Sequence, residues 1–268
     1  MGSLCKKDEL DMKKAKVAKI LKIVFVSLFS LCIMTYMVYA MLFLSHPDEE
    51  EICEDVEMIV NQDVNTLFFN KKDVEELLKK AQVYPKGMLM KDVNTKKIEE
   101  VVRENEFVSE VECYKSAKGK LYVKVKQRVP VVFVAPDGRD GFFVDAAGKI
   151  IPNNGNVVNL VVASGDIDDK YASTNLAEFG QFLQNDAFWN NQIEQIYVLK
   201  NKKGKRVVEL VPRVGDHIVY LGSIDEFQKK LRKLKIFYDK AIDTVGWNKY
   251  ARVNLEYENQ IICTQKER

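Results

Sequence analysis

Histidine is almost missing from this sequence of 268 residues, with only His46 and His217 present. Because histidine is the commonest general base and metal ligand, Ser-His catalysis, Cys-His catalysis and His-based metal clusters are disfavoured. The five cysteines form no CxxC pair and no zinc spacing. A phosphate-binding glycine loop, an HExxH helix and a GxSxG elbow are missing as well. We therefore predict that the protein is not an enzyme and binds no metal or cofactor.

An excess of charge of one sign is missing too. The chain has 41 Lys+Arg and 39 Asp+Glu, a formal net charge of +2, which excludes a polycation that coats nucleic acid. The small excess lies at the start, where residues 1–22 hold seven lysines and three acidic residues. A basic run at residues 229–235 is interleaved with leucines, and we interpret it as the solvated face of an amphipathic helix. No nucleic-acid partner is predicted.

One long segment, residues 23–44, carries no formal charge. As a helix it spans roughly 33 Å, against a bilayer core of about 30 Å. Lysines precede it and acidic residues follow it, so the positive-inside rule places the N-terminus in the cytoplasm and the body outside. We predict a cytoplasmic basic head at residues 1–22, a transmembrane helix at residues 23–44 and an acidic stalk at residues 45–51.

A cleaved signal peptide is the alternative, with Val38-Tyr39-Ala40 as its cleavage site. The apolar run continues past that site to Leu44, and it is longer than the ~7–15 apolar residues usual for a signal peptide. We favour the uncleaved anchor, and either reading puts residues 46–268 across the membrane. The cysteines of that part are far apart and odd in number, so we favour free thiols and leave one disulfide open among Cys53, Cys113 and Cys263.

The sequence of residues 52–128 predicts the element order β-α-α-β-β. Residues 53–60 alternate between apolar and polar, which is typical of a strand. Asn70 is a favoured N-cap, and a second helix is predicted over about residues 95–105. Two alternating strands follow around a polar turn with Gly119. The helix after Asn70 carries one apolar stripe, Val74, Leu77, Leu78 and Ala81. The order predicts an α+β layer with two helices on one face of a small sheet.

Beyond Pro130 the composition favours strands. Asp145-Ala-Ala-Gly148 is predicted as a tight turn, with Asp145 as a turn residue. Ser223 and Glu226 have the spacing of a capping box, which predicts that a helix opens there. His217 is interpreted as a half-buried strand residue and not as a base. A further helix is predicted at residues 174–189, and the strands of this part at residues 193–199, 206–211, 217–221, 252–257 and 260–264.

Three segments carry a resemblance to a known family. Residues 105–130, NEFVSEVECYKSAKGKLYVKVKQRVP, end on a Gln-Arg-Val-Pro junction, and residues 141–152, GFFVDAAGKIIP, contain a Val-Asp-x-x-Gly hairpin. Residues 252–263, RVNLEYENQIIC, supply two closing strands. In this order, after a single membrane anchor, they resemble the FtsQ/DivIB family of bacterial cell-division proteins. The chain departs from the family at Glu106-Phe107, where Pro-Trp is common, and in its acidic stalk.

The resemblance implies an α+β protein with one N-terminal transmembrane helix, a β-α-α-β-β POTRA domain at residues 52–128 and a mainly antiparallel β domain with flanking helices at residues 129–268. It implies a non-catalytic, membrane-anchored scaffold of the divisome, located at the septum in the cytoplasmic membrane. The implied partners are small coiled-coil division proteins of the FtsB/DivIC and FtsL kinds, and through them the septal peptidoglycan synthase. No small-molecule substrate is expected.

Two other classes stay open at this point. An extracytoplasmic enzyme acting on cell wall or glycans needs a pocket of convergent titratable groups, and the shortage of histidines and motifs argues against it. A chaperone of membrane-protein assembly would carry several POTRA copies or a barrel, and the sequence indicates neither.

The partner site is predicted at the last strand. Only charged and polar residues follow residues 260–264, so no later strand is expected to cover this one. An edge strand presents unpaired N–H and C=O groups that suit β-augmentation, and the family resemblance also implies a partner surface on the last strands. Period-2 alternation makes either Ile261 with Cys263 or Ile262 with Thr264 face the core. With Tyr257 as aromatic anchor, the predicted contacts are Tyr257, Gln260, Ile261, Ile262, Cys263 and Thr264.

Overall fold

The computed structural model describes residues 2–43, 51–61, 69–116, 119–155 and 158–266, and only the backbone of residues 2–20, 43, 242 and 243. The chain divides into two compact units. One comprises Met1–Glu57, Pro85–Thr95 and Tyr114–Tyr122; the other comprises Met58–Tyr84, Lys96–Cys113 and Val123–Arg268. The domain boundaries at residues 52–128 and 129–268 stay a prediction.

The first helix, α1, runs over Gly2–Phe43. Its part Leu21–Leu42 has a mean hydropathy of 2.1, and none of it is buried against the rest of the protein. A helix of this length and composition is suited to a bilayer. Residues 23–43 of the predicted span therefore lie within a longer helix that also includes residues 2–22 of the basic head. Leu44 and residues 45–50 of the predicted stalk lie outside the described residues.

Next along the chain is a small α+β layer. Its elements are β1 (Asp55–Asn61), α2 (Lys71–Lys80), α3 (Thr95–Arg103), β2 (Val108–Lys115) and β3 (Lys120–Gln127). The three strands form one sheet in the order β1-β3-β2, which confirms the predicted order β-α-α-β-β. Alternate residues of β3 are buried, as its sequence pattern predicts, namely Leu121, Val123 and Val125. In β2 the buried residues are Val108, Val111 and Cys113, so strict alternation holds only from Val111 onward.

Helix α2 begins as the sequence predicts. The Asn70 side chain accepts hydrogen bonds from the backbone N–H groups of Lys72 and Asp73, at 2.8 and 3.3 Å. The Asp73 carboxylate accepts from the Asn70 N–H at 2.7 Å, so the two residues form a reciprocal capping box. Val74 and Leu78 are fully buried. Ala81 is exposed because the helix ends at Lys80, so the buried stripe is shorter than predicted.

The rest of the chain forms a large sheet. Its strands are β4 (Pro130–Pro136), β5 (Phe142–Asp145), β6 (Ile150–Pro152), β7 (Val162–Gly165), β8 (Ile193–Lys200), β9 (Arg206–Pro212), β10 (Ile218–Gly222), β11 (Tyr250–Asn254) and β12 (Ile262–Gln265). The nine strands follow the order β12-β11-β10-β9-β8-β7-β4-β5-β6. Neighbours pair antiparallel except β10 with β11, β4 with β7 and β7 with β8, which are parallel. The sheet is thus mainly antiparallel, as predicted.

Two helical segments pack on this sheet. In the first, α4 (Asp169–Tyr171) continues through a π-helical turn into α5 (Ala177–Asn185), and α6 (Ala187–Gln192) follows. In the second, α7 (Phe227–Phe237) continues through a π-helical turn at Tyr238–Ile242 into α8 (Asp243–Val245). One apolar core joins strands and helices, with Phe179 and Phe227 in ring contact at 4.8 Å.

The capping box predicted for Ser223 and Glu226 is wrong. Helix α7 begins at Phe227, and Glu226 precedes it with a left-handed φ of 54° and no side-chain cap bond. The Ser223 hydroxyl instead hydrogen-bonds the Asp225 carboxylate and accepts from the Asp225 N–H at 3.2 Å. A local turn therefore uses the hydroxyl that a cap would need, because serine side chains also stabilise turns.

Asp145 is a turn residue, as predicted, and also forms an ion pair. Its Oδ1 accepts from the N–H groups of Ala147 at 3.0 Å and Lys149 at 2.8 Å. Its Oδ2 lies 2.8 Å from Nη1 of Arg128, with the two side chains only 9% and 20% exposed. Gly148 closes the turn with φ 77°, and a Cβ there would lie 2.1 Å from the carbonyl oxygen of Ser173. Only glycine fits that position.

Candidate docking edge of the large sheet

Strand β12 forms one edge of the nine-stranded sheet. It pairs antiparallel with β11, with Val253 opposite Cys263 and Asn254 opposite Ile262. No strand in the described part of the chain pairs with its other side. The edge position predicted from the sequence is confirmed, while partner contact at this edge stays a prediction.

Both closing strands are shorter than predicted: β11 begins and ends earlier in the chain than its predicted strand, and β12 begins and ends later. Strand β11 ends at Asn254, whose side chain accepts from the Glu256 N–H at 2.9 Å. This side-chain bond turns the chain out of the ladder, so the strand predicted to reach Tyr257 stops earlier. Tyr257 lies in the connection to β12 and is 47% exposed. Gln260 and Ile261 precede β12, which begins at Ile262.

The alternation left open by the sequence is resolved by burial. Ile261 and Cys263 are half-buried and pack against the core, whereas Ile262 is 44% exposed and Thr264 is exposed. Burial raises the pKa of the Cys263 thiol, which favours the protonated, unreactive form. The outward face of the edge is therefore provided by Ile262 and Thr264.

A groove lies beside this edge. It encloses about 360 Å³ between α7, the turn after it and the connection to β12. Ile236 is 51% exposed there. The lining combines apolar side chains with two lysines: Lys233, Ile236, Phe237, Lys240, Ala241, Asn259, Gln260 and Ile261. The groove was not predicted from the sequence, although Ile236, directly after the basic run at residues 229–235, was a signal for it.

The face of the sheet next to the edge mixes charge with aromatic surface. Arg252 on β11 forms an ion pair with Glu209 at 2.6 Å, and its guanidinium lies 4.5 Å from the ring centre of Tyr220. Arg252 stands opposite Thr264 of β12 and opposite Ile218 of β10. This arrangement holds charges in place and brings no titratable pair to a reacting position.

His217 is buried and not half-buried as predicted, and it immediately precedes β10. It is 1% exposed, and its Nε2 lies 2.8 Å from the hydroxyl of Tyr238. Its ring also stacks on Trp247, with centroids 6.2 Å apart. Burial lowers the pKa of His217, and Lys266 lowers it further. The contacts are those of a neutral core histidine that joins the helix turn to the sheet.

No group of three His, Cys, Asp or Glu side chains suited to a metal occurs among the described residues. No disulfide joins the cysteines whose side chains are described: Cys32, Cys53, Cys113 and Cys263.

The fold defines a class of protein, in which an apolar N-terminal helix precedes a POTRA-like layer and a large, mainly antiparallel sheet. Comparison with family models agrees: the POTRA-like domain matches residues 51–126, and the family "FtsQ/DivIB, C-terminal related" matches residues 129–264. A comparison with curated proteins finds no match. The chain belongs to the FtsQ/DivIB family, and with that membership come a role in cell division and protein–protein interactions within the divisome.

Proposed function

We propose that the protein is a non-catalytic, membrane-anchored divisome scaffold that binds a small coiled-coil division protein of the FtsB/DivIC kind at β12. An extended segment of that partner adds to the sheet as a tenth strand, with Tyr257 as a neighbouring anchor. Together with an FtsL-like protein, the complex regulates the septal peptidoglycan synthase. The observation that carries the proposal is the exposed, unpaired edge of β12.

The two edges of the sheet differ in the features that prevent strand addition. Natural edges are blocked by charged side chains, proline or very short strands. Strand β6, at the far edge, has three residues and ends in Pro152. Strand β12 has four residues, Ile-Cys-Thr-Gln, without charge or proline. Backbone augmentation is therefore disfavoured by proline at β6, whereas neither charge nor proline opposes it at β12.

The proposed location follows from α1 and the charges that flank it. The apolar part of α1 anchors the chain in the cytoplasmic membrane, and the lysines before it favour a cytoplasmic N-terminus. The two sheets then lie outside the cytoplasm, at the septum, where the partners' extracytoplasmic segments would reach them. Alkaline phosphatase fused after Arg268 is expected to be active, and a fusion active only as a cytoplasmic reporter would overturn this topology.

Proline scanning tests the docking edge. Proline is introduced singly at residues 260–264 of the full-length protein, and capture of the native FtsB/DivIC-like protein is measured from detergent extracts. At least one folded variant is expected to lose capture, because proline removes an N–H group that the partner needs yet is tolerated at a sheet edge. Ile150→Pro on β6 is the matched control and should keep capture. Full capture by all five folded variants would reject the site.

Depletion of the protein separates the three classes of function. A divisome scaffold predicts long, undivided cells. Lysis without a division block would instead support a wall-acting enzyme, and loss of outer-membrane proteins would support a POTRA chaperone.

A further inference from the structure

One lysine of α7 holds the connection between the last two strands. Lys233 is half-buried, and its ammonium group donates hydrogen bonds to the carbonyl oxygens of Leu255, at 3.2 Å, and of Tyr257. Both acceptors lie in the connection between β11 and β12, more than twenty residues along the chain from the lysine. A hydrogen bond from a charged donor is roughly twice as strong as one between neutral groups.

The connection is fixed at few other points. The Leu255 N–H donates to the Tyr220 carbonyl at 2.9 Å, and the Leu255 side chain is fully buried. Beyond Glu256, whose N–H is bonded to Asn254 at 2.9 Å, the chain enters an exposed turn before β12 begins. In this exposed turn, Lys233 gives the Tyr257 carbonyl a charged protein donor where water would otherwise bond it.

We propose that Lys233 is a positioning residue that pre-organises β12 and Tyr257 for partner docking. By holding two carbonyls of the connection, it fixes where the chain re-enters the sheet and where the Tyr257 side chain stands. A partner that adds a strand then meets an edge that is already ordered, so less conformational freedom is lost on binding. This inference rests on the proposed docking at β12.

Lys240 provides a matched control. It lines the same groove as Lys233 and carries the same charge. It is exposed, and no bond from Lys240 to a backbone carbonyl is present among the described residues. Removing either charge changes the groove's electrostatics alike, whereas only Lys233 touches the connection. The pair thus separates positioning from simple charge attraction.

The experiment uses the full-length protein in detergent micelles and its Lys233→Met, Lys233→Arg and Lys240→Met variants. Methionine keeps the length and apolar stem of lysine but removes the donor. Amide hydrogen exchange is followed by mass spectrometry in peptides covering residues 255–265, with the β10 peptide as an internal reference. Affinity for the native FtsB/DivIC-like protein is measured in parallel.

Lys233→Met removes both hydrogen bonds, and because water can replace the one at the exposed Tyr257 carbonyl, exchange in the connection and β12 is expected to speed up by about tenfold. Exchange in β10 should stay unchanged, and affinity for the partner should fall by about tenfold. Lys233→Arg should restore most of both effects, since it keeps a charged donor. Lys240→Met should stay within about twofold of the wild type in both measurements.

Unchanged exchange in Lys233→Met would overturn the inference at its first step. Faster exchange with undiminished affinity would overturn the positioning role as well, because the ordered edge would then be irrelevant to binding. Failure of the proposed docking itself gives a different result. In that case the proline variants at residues 260–264, with Lys233 unchanged, would keep full capture of the partner.

Discussion

Asp145→Asn tests whether the ion pair with Arg128 stabilises the junction before the large sheet, because asparagine keeps the Oδ1 acceptor of the Ala147 and Lys149 N–H groups. The substitution removes an acceptor 2.8 Å from Nη1 of Arg128. It leaves a guanidinium whose Nε is already buried without a hydrogen-bond partner. Breaking a buried ion pair from one side costs about 3–5 kcal/mol. Because the Arg128 side chain keeps 20% exposure, water offsets part of that loss, and we expect about 3 kcal/mol.

The free energy of unfolding is measured by urea titration of the full-length protein in detergent micelles. Asp169→Asn is the matched control, since Asp169 pairs with Arg139 at 2.6 Å but the two side chains are 60% and 43% exposed. Exposed pairs contribute about 0–1 kcal/mol. Equal losses of stability in the two variants would show that burial does not set the strength of the Arg128–Asp145 pair, and the reasoning would fail.

Three further predictions concern the core, a turn and pH. Leu78→Ala should lower the unfolding free energy by about 2–5 kcal/mol, because Leu78 is fully buried. Leu77 is half-buried, so Leu77→Ala should lower it clearly less. Equal losses would refute the assignment of Leu78 to the buried face of α2. Gly138 and Gly148 share a φ of 77°, so each change to Ala carries the same left-handed strain of about 1–2 kcal/mol. Only Gly148→Ala adds a backbone clash, so it should lower the melting temperature more than Gly138→Ala does. Equal melting temperatures of the two variants would contradict the predicted clash. Burial lowers the pKa of His217, so the unfolded chain binds the proton first: stability is complete above about pH 6.5 and falls as pH drops from there, by at most about 1.4 kcal/mol per pH unit. The stability difference between wild type and His217→Phe should therefore shrink between pH 7.5 and pH 5.5, and a constant difference would disprove the link.

The small α+β layer was the most predictable part of the fold. Strand β3 alternates cleanly because one face of the sheet is buried, and Val123 and Val125 follow that pattern. The start of α2 was equally predictable, since Asn70 and Asp73 satisfy each other's backbone groups locally. Information of this kind lies within a few residues of sequence, so no tertiary contact is needed to read it.

Features that depend on tertiary contacts could not be predicted from the sequence. Asp145 was predicted as a turn residue. Its ion pair was not predictable, because it depends on the pairing of β4 with β5, which brings Asp145 beside Arg128. The ends of the last two strands were misplaced because Asn254 turns the chain with its side chain, which competes with the ladder. The edge position of β12 was predictable from the charged residues 266–268, whose composition does not favour a further strand. The contact of Lys233 with the connection was not, since a basic helix gives no sign of which lysine reaches a carbonyl.

The parallel pairing of β10 with β11 was also unforeseen. A helical segment separates these strands in the chain, so the connection reverses direction twice before β11 begins. Strand periodicity reports which residues face the core and carries no information on strand order. The mixed sheet therefore became visible only in the structure.

Site-specific photo-crosslinking in the native bacterium tests the central claim most directly. A photoreactive amino acid replaces Ile262, on the outward face of β12, and in a control it replaces Asn153, directly after β6 at the opposite edge. The account predicts that Ile262 crosslinks to the FtsB/DivIC-like protein in dividing cells and that Asn153 does not. Crosslinking of that protein from Asn153 but not from Ile262, with both variants supporting division, would contradict docking at the β12 edge.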